Sequence, residues 1–123
     1  MFKLIDLKNA VGEAVSAVDE ARKGNSSKLE ASMSTVATMF KSEEGRRYRE
    51  SLGKVTLMAG QSAPMFKEFA RTIQTWEIVT NFADLKAYNH PQVETYLGML
   101  YSGLSVMEMN EEDIRAAFAS RHP

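Results

Sequence analysis

Thirteen consecutive residues of this chain, Thr95 to Met107, carry no charge, although a quarter of all its residues are charged. Within and beside that run, Val93, Leu97, Leu100, Leu104 and Met107 recur at steps of four, three, four and three, which places them on one face of a helix. Tyr96, Met99, Tyr101 and Val106 carry apolar character onto the other sides. A helix that is apolar on several faces needs neighbours on several sides. Pro91–Met109 therefore reads as the central post of an all-helical bundle.

The segments around it supply the neighbours. Leu4, Leu7, Val11, Ala14, Val18 and Ala21 alternate at three and four, predicting a first helix from Leu4 to Lys23 that ends at Gly24-Asn25. Small residues at Ala10, Gly12, Ala14 and Ala17 let a partner backbone come close. Gly12 costs a helix about 1 kcal/mol relative to alanine, so its presence points to tight packing. Ser27 and Glu30 have the spacing of a capping box, opening a second helix that buries Leu29, Met33, Val36 and Phe40.

Glu43 and Glu44 would be unfavourable at a helix C-terminus, so Ser42 is read as the cap of a third helix through Tyr48, Leu52, Val55 and Met58 to Gly60. A bent but continuous helix over 27–59 is the alternative. Pro64 suits the first turn of a fourth helix with Phe66, Phe69, Ile73 and Trp76 on its buried face. Asn81–Asp84 reads either as the cap of a short helix reaching Tyr88 or as the unbroken tail of the fourth. Asn110–Asp113 caps a last short helix with Ile114, Ala117 and Phe118, and the tail 120–123 frays.

No strand-like alternation and no internal repeat appears. At 123 residues one domain, 1–123, is expected, with enough length to bury a core without staples. The fold class is all-α: a compact single-domain bundle of five to seven mostly antiparallel helices around 91–109.

Composition narrows the chemistry. A formal net charge of −1 argues against recognition of bulk nucleic acid or an anionic membrane by the whole surface. The absence of cysteine removes disulfides, thiolate metal sites and thiol nucleophiles together. Asp6, Lys8 and Glu13 interrupt the apolar residues of the N-terminus, unlike a signal peptide, and the uncharged run falls short of the roughly 20 residues of a membrane span. A cytoplasmic address is the expectation.

Only two histidines occur, His90 and His122, without a helical or knuckle spacing of further ligands. Glu111, Glu112 and Asp113 splay about 100° apart per residue on a helix and are read as first-turn charge, not as a cation site. No cofactor, metal or catalytic residue is assigned. The strongest charge feature is Arg46, Arg47 and Arg49, flanked by Lys41 and Lys54, the candidate patch for a partner protein. Glu43 to Arg47 and Arg46 to Glu50 stand four apart, so the same residues also suit an intrahelically paired solvent face. Gly98, Tyr101 and Ser102 in the post are the candidates for helix–helix contact, within the chain or across a homo-oligomer. Eight methionines are read mainly as core filling.

Lys54–Arg71 loosely resembles a helix-turn-helix, with Gly60 at the turn and Ser62, Lys67 and Arg71 as the DNA contacts the resemblance implies. Thr56 and Gln61 depart from the small and apolar residues such a turn uses, and Glu68 offsets its two cations. The leading expectation is a non-enzymatic helical protein that binds another protein as adaptor, inhibitor or assembly subunit. Its size suits a bacterial or phage accessory protein. A DNA-binding regulator using 54–71 is the first alternative and a small enzyme or ligand carrier the second.

Overall fold

The computed structural model describes residues 3–59 and 64–112, with side chains described at 3–54 and 67–112. Among the described residues there are five helices and no strands: α1 (Leu4–Arg22), α2 (Ser27–Lys41), α3 (Glu43–Ala59), α4 (Pro64–Asp84) and α5 (Val93–Met109). Helices α1, α2, α4 and α5 close a four-membered ring in which each packs on the next, and α3 lies against α2 and α4.

Each helix boundary has a local cause. The Lys3 backbone N–H donates to the Asp6 carboxylate at 2.7 Å, which starts α1. At its other end Gly24 takes φ +96°, its N–H donates to Ala21 O and the Asn25 N–H donates to Glu20 O, both at 3.0 Å. That is a Schellman closure, and glycine adopts the left-handed geometry without a Cβ penalty. The helix thus stops at Arg22, one residue before the expected Lys23.

The expected Ser27–Glu30 capping box does not form. Ser26 is the N-cap with no side-chain cap bond, and the Ser27 N–H donates to Asn25 Oδ1 at 3.3 Å. The asparagine left over from the α1 closure reaches the orphan amide first. Ser42, by contrast, does divide α2 from α3. Its hydroxyl donates to Met39 O at 2.5 Å and accepts from the Gly45 N–H at 3.1 Å, so one side chain serves both helix ends. A continuous 27–59 helix is excluded.

Asn81 does not open a new helix; α4 runs unbroken to Asp84, the second of the two readings of that segment. It ends in another Schellman closure, with the Lys86 N–H on Ala83 O at 3.1 Å and the Ala87 N–H on Phe82 O at 2.9 Å. Here a lysine occupies the left-handed position, at φ 53°. Pro91 and Gln92 form a turn, so the post begins at Val93, two residues later than expected. The expected last helix falls mostly at 113 and beyond, outside the described residues, as do the turn at 60–63 and the tail.

The core lies inside the ring. Leu4, Leu7, Val11, Ala14 and Val18 are buried from α1, and Leu29, Met33, Val36 and Phe40 from α2. From α5 the whole expected face, Val93, Leu97, Leu100, Leu104 and Met107, is buried. Phe69 and Trp76 fill the α4 side, with the Trp76 ring tilted 32° on Phe40 at 4.3 Å between centroids. Thr72 and Thr75 are buried too, their hydroxyls donating to the carbonyls of Glu68 and Arg71 at 2.7 Å. Two buried hydroxyls are thereby satisfied within their own helix.

Helices α1 and α5 run antiparallel, as the pairs Lys8–Glu108 and Arg22–Glu94 require. Helices α4 and α5 also run antiparallel, with Thr72 beside Gly103 and Phe82 beside Tyr96. No described helix is long and apolar enough to cross a membrane.

Candidate functional site

The ring encloses one side of α5 and leaves the other open. Thr95, Ser102 and Met109 are exposed, Gly98, Met99, Ser105 and Val106 are half-buried, and Tyr101 retains 38% of its surface. Met109 is 84% exposed, so it is not the core filler its neighbours are. Among the described residues nothing lies within 4 Å of the place a Cβ on Gly98 would occupy. The three residues singled out for helix–helix contact, Gly98, Tyr101 and Ser102, therefore sit on or beside an uncovered face.

The close contact that α5 does make involves Gly103. A Cβ there would lie 3.0 Å from both Thr72 Cβ and Thr72 Cγ2, with Thr72 Oγ1 nearer still. The pairing depends on residues 31 apart, and only the small size of Gly103 hinted at it.

Charge is cleared from this face by α1. Glu108 Oε2 pairs with Lys8 Nζ at 3.1 Å, and Glu94 pairs with Arg22. Both carboxylates that bound the uncharged run are thus turned sideways and compensated. The same Lys8 ammonium stands 5.8 Å from the Tyr101 ring centroid, within cation–π range. The edge of that ring lies over Gly12, where an added Cβ would be 3.1 Å from Cε2. Gly12 is the tight-packing position its cost suggested, and its load is the Tyr101 ring. The sequence carried no signal that Lys8, 100 positions from its partner Glu108, would complete this cluster.

Beside Tyr101 an open groove of about 910 Å³ runs along α1 and α2, floored by small residues such as Gly12, Ser16, Ala31 and Ser32. Glu20 and Lys28 pair across it at 3.5 Å. A smaller pocket of about 260 Å³ lies between the α1 C-terminus and the turn before α5, with His90 on its rim. His90 acts there as a cap, its Nδ1 accepting the Gln92 N–H at 3.0 Å and its ring tilted 35° against Phe82 at 4.8 Å between centroids.

The basic residues do not converge on one point. Lys41 pairs with Asp84 and Arg49 with Glu77, both on α4, and Arg47 pairs with Glu43 at 2.6 Å within α3. Arg46 is exposed and Lys54 half-buried. Lys41, Arg47 and Arg49 thus tie α2 and α3 to α4 or α3 to itself. Exposed pairs of this kind contribute about 0.2–1 kcal/mol each and fix helix placement more than they store energy.

Of the residues implied by the helix-turn-helix resemblance, Ser62 lies outside the described residues. Lys67 is exposed, and Arg71 is exposed and 3.7 Å from Glu68. Glu111 is half-buried and Glu112 exposed, while Asp113 and His122 fall outside the described residues. Among the described residues no group of three histidines or carboxylates is gathered for a metal. Compared with known proteins, the chain matches no family model, no curated protein and no solved structure.

Proposed function

We propose that this chain is a non-enzymatic protein-interaction module, an adaptor, inhibitor or assembly subunit, that meets its partner through the outer face of α5. The observation that carries the reading is a helix face that the described residues leave uncovered, in which the uncharged run Thr95 to Met107 presents Tyr101, and Met109 follows just beyond Glu108. Tyrosine and methionine are over-represented in interface centres, where charge is depleted. The Tyr101 ring is also held in place from below by Gly12 and from the side by Lys8, so little side-chain freedom is lost when a partner covers it.

The reading is tested with a pair of baits, the wild-type chain and a Tyr101→Arg, Met109→Glu variant. Met109 is 84% exposed, and because the Tyr101 ring packs on Gly12 the helicity and urea midpoint of the variant are checked beside the baits. A protein retained by the wild type and released by the variant supports the reading. A wild-type chain that stays monomeric and retains the same proteins as the variant refutes it.

A further inference from the structure

We draw no further inference here: the strongest candidate, the open groove of about 910 Å³ along α1 and α2 with Tyr101 at its edge, is an unpartnered surface, and nothing among the described residues shows what covers it.

Discussion

Replacing Gly103 by alanine sets two effects of known sign against each other. An interior helical glycine loses about 1 kcal/mol relative to alanine, so an unobstructed Gly→Ala change stabilises by about that amount. At Gly103 the added Cβ meets Thr72, with Thr72 Cβ and Cγ2 each 3.0 Å away and Oγ1 closer. Rotating Thr72 about χ1 moves Oγ1 and Cγ2 but leaves its Cβ in place, and the hydroxyl is held by Glu68 O at 2.7 Å. Helices α4 and α5 must then separate. Overpacking of a tight core costs about 1–3 kcal/mol, so with the propensity gain subtracted the net expectation is a loss of up to about 2 kcal/mol. In a domain of this size that lowers Tm by up to roughly 8 °C. Urea denaturation followed by helical circular dichroism, at concentrations too low for self-association, reads the change. Thr72→Ala removes Oγ1 and Cγ2, so the double variant is expected to be more stable than the two single losses added, by about 1 kcal/mol. Gly98→Ala, five residues earlier on the same helix with no described residue within 4 Å of the added Cβ, is expected to stabilise by up to about 1 kcal/mol. If Gly103→Ala stabilises as Gly98→Ala does, or if the Thr72 cycle is additive, the packing argument is refuted.

Lys86 holds a left-handed conformation that disfavours any residue with a Cβ, so Lys86→Gly is expected to stabilise by about 0.5–1 kcal/mol; an unchanged or lower urea midpoint contradicts the α4 closure. The Ser51 hydroxyl is buried without a hydrogen-bond partner, and Ser51→Ala is expected to stabilise by about 1 kcal/mol, whereas a loss above that amount would mean the hydroxyl is bonded. Trp76 is buried against Phe40, and Trp76→Phe is expected to cost about 1–3 kcal/mol by differential scanning calorimetry, far more than Leu85→Ala at an exposed site.

The parts of this fold that could be read from the chain are those fixed by residues near one another. The α1 face and the α5 face each need only a period of 3.6 and a single buried side, and both were visible as spacing. The Gly24 stop was legible because only glycine is indifferent to a positive φ. The Ser42 division was legible because two carboxylates cannot sit comfortably at a helix C-terminus. The Ser27 box failed at the same scale: three cap formers stand in a row at 25–27, and which one reaches the free amide depends on how the preceding helix closes. At Lys86 no glycine marked the end of α4, so the stop was invisible although the closure is the same as at Gly24. The long-range features were out of reach for a different reason. Spacing told that Glu94 and Glu108 bound an uncharged run, but their turning onto Arg22 and Lys8 depends on α1 lying antiparallel to α5. That same placement seats the Tyr101 ring on Gly12 and leaves Gly98 half-buried and Ser102 exposed. Ring closure by four helices covers α5 on the side facing the other three and exposes the side facing away. A helix apolar or small on all sides is more than such a ring needs, and the surplus is the neutral outer face on which the functional proposal stands.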